Sequence, residues 1–90
     1  MSDWKFNPGR VIVTRTAVEV LLPHDMFRAL ACHLSGDWGN VDAEDWQANE
    51  DVLNDGTGLL SVYRSSPDKK FYIITEWDRS LTTILLPSDY

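Results

Sequence analysis

The last third of the chain alternates between apolar and polar residues, and this alternation limits the folds that the chain can adopt. Residues 59–64, 71–77 and 81–86 are rich in aromatic and β-branched residues and predict three strands. Turn-forming residues separate them at 65–68 and at 78–80. Because connections this short cannot cross over a sheet, the sequence predicts an antiparallel meander with residues 71–77 as its central strand.

Helical signals precede the strands. Thr16 and Glu19 have the spacing of a capping box and predict a short helix over residues 17–22, which Pro23 ends. Asp25 is the candidate N-cap of a second helix that continues through Leu34, with Gly36 as its stop (residues 25–36). Met26, Phe27, Leu30, His33 and Leu34 share one side of that helix.

A third helix is predicted from Ala43 to about residue 54, with Asp42 as its cap and Gly56 as its stop. The β-branched run 11–13 predicts a short strand ahead of the helices, and residues 1–9 form an N-terminal arm. The fold class is therefore α+β: a short N-terminal strand, two to three helices, and a three-stranded antiparallel meander packed on the helices. Residues 10–90 form one domain after the arm.

Acidic residues are concentrated in one segment of the chain. Between Gly36 and Gly56 there are seven acidic side chains and no basic one, although the net charge of all 90 residues is only −6. A negative patch of this density repels nucleic acid and attracts proteins that have a basic surface. The sequence therefore favours a protein partner and argues against direct binding of DNA or RNA.

The third predicted helix carries most of this charge. On a helical wheel, Glu44, Asp51 and Asp55 lie opposite Trp46, so their carboxylates face water or a partner. The candidate partner-binding residues are these three acids and Glu50 of the same helix. Two aromatic residues join them, Trp4 of the arm and Trp77 beside the second turn.

Several classes of protein are disfavoured by composition. The chain has no apolar run near 18 residues and no apolar N-terminal stretch, so a cytoplasmic protein without a membrane contact is expected. A single cysteine, Cys32, allows neither an internal disulfide nor a cysteine-based zinc site. The acidic residues lack the EF-hand spacing, so neither a metal nor a cofactor is expected.

Four residues near the predicted helix ends and turns are candidates for a structural motif: His33, Asp37, Trp38 and Arg79. His33 lies on the apolar side of its helix, and we expect one ring nitrogen to bond to Asp37 or to the loop 36–39. Trp38 is expected to be buried between helix and sheet. Arg79 is expected to pair with neighbouring acids or to hold the second turn against that loop.

The same residues suggest an alternative in which the chain is a ribonuclease. His33 and Arg79, beside Thr75, Thr82 and Thr83, would handle a phosphate, and compact toxin-like ribonucleases also combine leading helices with a terminal antiparallel sheet. Such enzymes are normally basic because they hold RNA, whereas this chain is acidic. The sequence has no G-x-S-x-G motif, so it does not support catalysis by a serine nucleophile.

Two long sequence patterns resemble a family of small uncharacterised bacterial proteins. The patterns run from His33 to Gly39 (HLSGDWG) and from Ile74 to Tyr90 (ITEWDRSLTTILLPSDY), with Asp45, Asn49 and the segment 60–63 between them. Similar proteins occur on plasmids, phages and other mobile elements and are often described as plasmid-related proteins or as a type I restriction endonuclease subunit M. The resemblance covers roughly residues 10–90, and the family usually has Glu-Ala or a similar step at Glu76–Trp77.

The resemblance implies a setting, mobile DNA near restriction or other defence systems, and no established activity. In that setting the sequence suggests a non-enzymatic inhibitor that blocks the basic surface of a host defence protein of the CRISPR or restriction type. The toxin-like ribonuclease is the alternative. A homodimer built on an apolar sheet is a third hypothesis, since residues 71–77 are apolar on both faces.

Overall fold

The computed structural model describes residues 4–52, 58–65 and 68–90. Within these ranges the chain forms a mixed α+β fold, as the sequence predicts. Its elements are, in chain order, β1 (Arg10–Val13), α1 (Arg15–Val20), α2 (Pro23–Leu34), α3 (Ala43–Val52), β2 (Leu59–Arg64), β3 (Lys70–Thr75), β4 (Leu81–Leu85) and a short 3₁₀ helix (Pro87–Asp89).

The described strands form one four-stranded sheet in the order β1-β4-β3-β2. The antiparallel meander is confirmed: β2 pairs with β3 and β3 pairs with β4, both antiparallel. β3 ends at Thr75, two residues before the predicted end, because the chain turns after Glu76: the Arg79 N–H donates to the Glu76 carbonyl at 2.9 Å. β1 extends the sheet by pairing parallel with β4, so β3 and β4 are both interior strands.

The first helix begins two residues earlier than predicted. Thr14, not Thr16, is the N-cap, and its hydroxyl accepts a hydrogen bond from the Ala17 N–H at 3.3 Å. The Thr16 hydroxyl instead donates to the Asp89 carboxylate at 2.5 Å, and Thr14 donates to the same oxygen at 2.7 Å. The predicted capping box is therefore wrong, because a distant carboxylate competes for the Thr16 hydroxyl.

The second helix starts at Pro23, which is its first residue and not merely the end of the helix before it. Leu22 is the N-cap, so the prediction that Asp25 caps this helix is wrong; Asp25 lies in the first turn, where its charge suits the helix dipole. The predicted stop is confirmed. Gly36 has a φ of +87°, and the Asp37 N–H reaches back to the Cys32 carbonyl at 2.8 Å, as in a Schellman motif.

The third helix begins at Ala43, and its predicted cap is confirmed by the Asp45 N–H, which donates to the Asp42 carboxylate at 2.8 Å. The predicted stop at Gly56 lies outside the described residues.

Helices α1 and α2 cover one face of the sheet. The core between them contains Ala17, Leu21, Ala29, Tyr63, Phe71, Ile73 and Ile84. Phe27 departs from the predicted helical stripe: it is 71% exposed and lines an open groove between α2 and β1.

The free edge of β2 is covered by the side chain of Asn49 and by the loop that contains residues 38–40. The Asn49 side chain of α3 donates to the Leu60 carbonyl at 2.6 Å and accepts from the Leu60 N–H at 3.2 Å. Residues 38–40 pair with Val62 in the same way a strand would. Gly39 allows this close approach, because a Cβ atom there would lie 2.1 Å from the Val62 carbonyl oxygen. This edge of the sheet is therefore not available to another strand.

Candidate functional site

A chain of buried polar side chains crosses the interface between α2 and the sheet. The His33 Nδ1 atom lies 2.6 Å from the Ser61 hydroxyl, and its Nε2 atom lies 2.8 Å from the Thr75 hydroxyl. The Thr75 hydroxyl lies 2.8 Å from that of Thr82, which donates to the Pro8 carbonyl at 2.8 Å. β2, β3, β4, α2 and the arm each contribute one member.

The carbonyl at the end of this chain determines the direction of every bond in it. A hydroxyl has one hydrogen, and Thr82 gives its hydrogen to Pro8, so Thr75 must donate to Thr82. The Thr75 hydroxyl then accepts from His33, which places the imidazole proton on Nε2. The Nδ1 atom is left as an acceptor for the hydroxyl of Ser61. His33 is therefore held as one neutral tautomer.

His33 is shielded from solvent by two aromatic rings. Phe6 of the arm and Trp38 contact the imidazole edge to face, with centroid distances of 5.4 Å and 5.5 Å. The His33 side chain is fully buried. Burial, and secondarily the positive charge of Arg79, lower the pKa of His33 to about 3, because the protonated ring would be neither solvated nor paired.

The Ser61–His33 contact has the geometry of an activated nucleophile, yet its surroundings do not suit catalysis. In a serine hydrolase the hydroxyl faces a substrate cleft, and the base is oriented by a third group. Here Ser61, His33, Thr75 and Thr82 are all without solvent-accessible surface. A substrate cannot reach the hydroxyl in this conformation. The arrangement instead satisfies every polar atom at a junction of five segments.

The structure places the predicted structural residues around this junction, with different contacts from those expected. The prediction that His33 bonds to Asp37 or to loop 36–39 is wrong, because hydroxyls of the sheet lie closer to both ring nitrogens. Asp37 instead contributes its carbonyl, which accepts from the Tyr63 hydroxyl at 2.5 Å, and its carboxylate, which accepts from the Gly39 N–H at 3.2 Å.

Arg79 contacts carbonyls of its own turn and an aromatic ring of the arm, and its expected contact with neighbouring acids or with loop 36–39 stays a prediction. Its guanidinium donates to the Glu76 and Trp77 carbonyls at 3.2 Å and 3.3 Å and lies 5.7 Å from the centroid of the Phe6 ring. The residue has a φ of +60°, so the turn bends sharply at this point. Of the residues suggested for a ribonuclease, His33, Thr75 and Thr82 do lie together, whereas the contacts of Arg79 given above connect it to His33 only through the Phe6 ring.

Trp38 is fully buried and is tied to α3 by its indole N–H, which donates to the Glu50 carboxylate at 2.8 Å. The ring of Trp38 also stacks on Phe6 at 6.3 Å. Glu50, which the sequence predicts as a partner-binding acid, is thus half-buried and bonded within the protein.

Two of the predicted partner-binding acids lie on the outer side of α3. Glu44 and Asp51 are exposed, seven residues apart on the same side of the helix, and Asp51 accepts a hydrogen bond from Gln47 at 3.0 Å. Asp42 and Asp45 face a different way and line a cleft of about 320 Å³ with Arg64 and Lys70. Asp55 lies outside the described residues. We call Glu44, Gln47, Ala48 and Asp51 the outer face of α3.

Both aromatic candidates are exposed: 52% of the Trp4 side chain and 66% of the Trp77 side chain face solvent. Trp77 lies in the turn that Arg79 holds, and Arg79 contacts Phe6 of the arm. Phe6 stacks on Trp38, which is bonded to α3. The arm, the second turn and α3 are therefore connected through consecutive side-chain contacts.

The residues that sequence reasoning missed are Ser61, as a partner of His33, and Asn49, as a cap on the edge of β2. The hydroxyl contacts could have been predicted from the sequence, because Ser61, Thr75 and Thr82 are polar residues at inward positions of otherwise apolar strands. The role of Asn49 could not have been predicted in this way, since it depends on where α3 lies relative to the sheet.

Within residues 4–52, 58–65 and 68–90, no three His, Cys, Asp or Glu side chains come together as a group that could hold a metal ion. Over the same ranges, no helix has both the length and the apolar character that crossing a bilayer requires. The chain matches no protein-family model, no curated protein and no solved structure.

Proposed function

We propose that this chain is a small non-enzymatic interaction protein that presents the outer face of α3 to a basic surface of a protein partner. The observation that carries the proposal is that Glu44 and Asp51 are exposed carboxylates without an ion-pair partner among the described residues. The ion pairs found there join His24 to Asp25 and Arg64 to Asp68, and neither includes a residue of α3.

Uncompensated surface charge of this kind acts mainly on association. It accelerates encounter with a surface of opposite charge and gives rates that fall with salt. The exposed rings of Trp4 and Trp77 supply apolar area that carboxylates cannot, and large aromatic residues are frequent anchors in interfaces. The charge would guide the encounter, and the aromatic residues would hold the complex.

The resemblance to proteins of mobile elements supports a concrete version of this proposal. The partner would be a nucleic-acid-handling protein of a host defence system, of the CRISPR or restriction type, whose basic channel normally holds phosphates. An acidic protein that occupies such a channel excludes nucleic acid both by its volume and by its charge.

The ribonuclease alternative has less support. Its base would be His33, which is fully buried and holds its proton on a nitrogen that donates to Thr75. With a pKa lowered to about 3, the ring would also be a weak base. Access to it would require displacement of Phe6 and the arm.

The test compares two double charge reversals that change the net charge equally. Glu44→Lys with Asp51→Lys alters the outer face of α3. Glu19→Lys with Asp68→Lys alters exposed acids outside α3 and outside the segments that carry Trp4 and Trp77. Each protein is immobilised and exposed to a bacterial lysate, captured proteins are identified by mass spectrometry, and association with the purified partner is measured at several salt concentrations. We expect the α3 variant to associate at least about tenfold more slowly and with a weaker salt dependence, and the control to behave like the wild type.

Equal capture by both variants would remove α3 from the interface. Metal-independent cleavage of RNA by the wild type, abolished in His33→Ala while the melting temperature is unchanged, would replace the proposal with the ribonuclease.

A further inference from the structure

The two edges of the sheet differ in how their main-chain groups are satisfied. At the β1 edge, the Arg10 N–H donates to the Ser80 carbonyl and the Thr14 N–H to the Ile84 carbonyl, both at 3.0 Å. Because alternate residues of a parallel ladder face the neighbouring strand, Ile12 also faces β4, and the main-chain groups of Val11 and Val13 point away from the sheet. No described residue bonds to those outward groups.

Apart from Arg10, the side chains of β1 do not protect this edge. Edge strands are usually very short or carry charged residues, prolines or bulges that discourage pairing with another strand; β1 has four residues, and its single charge lies at its first position. β1 reads Arg-Val-Ile-Val, and Val11 and Ile12 are 39% and 38% exposed. The edge borders an apolar groove of about 130 Å³, which is lined by Val11, Val13, Pro23, Met26, Phe27, Leu30 and Ile84.

We propose that β1 pairs antiparallel with β1 of a second copy of this chain, so that two four-stranded sheets join into one. The outward groups are self-complementary in one register. When Val11 lies opposite Val13 of the second copy, all four outward groups of each strand are paired, and the twofold axis passes beside Ile12.

Other registers leave groups unpaired. Placing Val11 opposite its own copy sets Val13 against Gly9, which has a φ of +66° and is not extended. Placing Val13 opposite its own copy sets Val11 against Arg15, which is helical. The favoured register also places Arg10 opposite Thr14 of the second copy, so the two arginines are not directly opposed.

Charge favours this edge over the rest of the surface. A chain with a net charge of −6 repels its own copy, and the repulsion is strongest between acidic faces. α3 packs against β2, at the other end of the strand order β1-β4-β3-β2. Pairing through β1 therefore holds the two acidic faces at opposite ends of the joined sheet. The groove beside β1 would be extended by the Val11, Val13 and Phe27 side chains of the second copy.

This dimer is independent of the function proposed above, since the outer face of α3 remains exposed in both copies. It is tested with the full chain by sedimentation velocity over a range of concentrations, with hydrogen exchange at Val11 and Val13 measured on the same samples. We expect a concentration-dependent dimer, with both amides protected in proportion to the dimer fraction. A wild-type protein that stays monomeric over the whole concentration range would overturn the proposal, even if β1 bound a strand of a different protein.

Substitution at the axis tests the register. Ile12 lies opposite Ile12 of the second copy, so Ile12→Lys and Ile12→Glu should each shift the protein to monomer, while an equimolar mixture of the two should dimerise again. Val18→Lys, at a 57%-exposed position on α1, is the matched control and should dimerise as the wild type does. A dimer that survives Ile12→Lys would show that another surface forms it. If either variant fails to fold, hydrogen exchange at the Val11 and Val13 amides of the wild-type protein still tests whether β1 forms the dimer.

Discussion

The imidazole of His33 and the hydroxyl of Ser61 are 2.6 Å apart in a part of the protein that is closed to solvent. The contact joins α2 to β2, and the bonds beyond it join the same ring to β3, β4 and the arm. A histidine that looks catalytic in the sequence is thus the centre of a packing junction. Its properties can be predicted from the direction of the bonds and from burial.

Removal of His33 should destabilise the protein. His33→Ala leaves the buried Ser61 hydroxyl without its acceptor and removes the donor to Thr75, which keeps its bond to Thr82. It also opens a cavity between α2 and the sheet. We expect a loss of about 2–4 kcal/mol in the free energy of unfolding, measured by urea denaturation. The control is His24→Gln, because His24 is the other histidine of the chain, is exposed, and can be replaced by a residue that keeps a donor for Asp25; it should change stability by less than about 1 kcal/mol. Equal losses in the two variants would contradict the junction.

The tautomer of His33 is a direct consequence of the bond direction. Since the Thr82 hydroxyl donates to the Pro8 carbonyl, the proton of the neutral imidazole lies on Nε2. Nitrogen-15 NMR of the ring distinguishes the two nitrogens, and we expect the signal of a protonated Nε2 and an unprotonated Nδ1. Thr82→Val removes the end of the chain of bonds without a large change in volume and should broaden or shift the Nε2 signal. A proton on Nδ1 in the wild type would refute the proposed direction.

The lowered pKa of His33 makes stability depend on pH. In the unfolded chain a histidine has a pKa near 6.5, whereas in the folded protein that of His33 is about 3. Between these values the unfolded state binds more protons, so stability is full above about pH 6.5 and falls as the pH decreases. From pH 7 to pH 5 we expect a loss of about 2 kcal/mol.

The two carboxylates whose pKa is lowered by their hydrogen bonds, Asp78 and Asp89, do not account for this loss, because their effects begin at lower pH. Hydroxyl and amide donors lower the pKa values of Asp78 and Asp89 below 3.8, so both remain ionised at pH 5. The measurement is a series of urea denaturation curves, together with the NMR shift of the His33 ring protons. Ring protons that titrate in the folded protein between pH 7 and pH 5 would rule out this origin.

The meander could be predicted from the sequence because its information is local. Alternating side chains define each strand, and connections of a few residues require antiparallel neighbours. The Schellman stop at Gly36 and the cap at Asp42 are equally local. These features depend on residues within about six positions of one another.

What could not be predicted depends on contacts between distant residues. Thr14 and Thr16 are both hydroxyl residues near a helix start, and the Asp89 carboxylate, more than 70 residues away, binds both. The parallel pairing of β1 with β4 likewise has no signal within β1 itself. His33 could be placed on the inner side of α2, but its partners follow from the register of three strands.

Asn49 provides the last prediction, because its amide replaces a strand at the edge of β2. Asn49→Ala removes both bonds to Leu60 and should cost about 2–3 kcal/mol, since the Leu60 N–H and carbonyl are left partly buried and unpaired. Asn49→Asp keeps the shape but replaces the donor with a second acceptor facing the Leu60 carbonyl, so it should destabilise at least as much at neutral pH.

Gln47→Ala, on the exposed side of the same helix, is the control and should cost less than about 0.5 kcal/mol. Urea denaturation gives the three values. Exchange of the Leu60 amide should become faster in both Asn49 variants, and an Asn49→Asp variant as stable as the wild type would show that the edge is closed by other contacts.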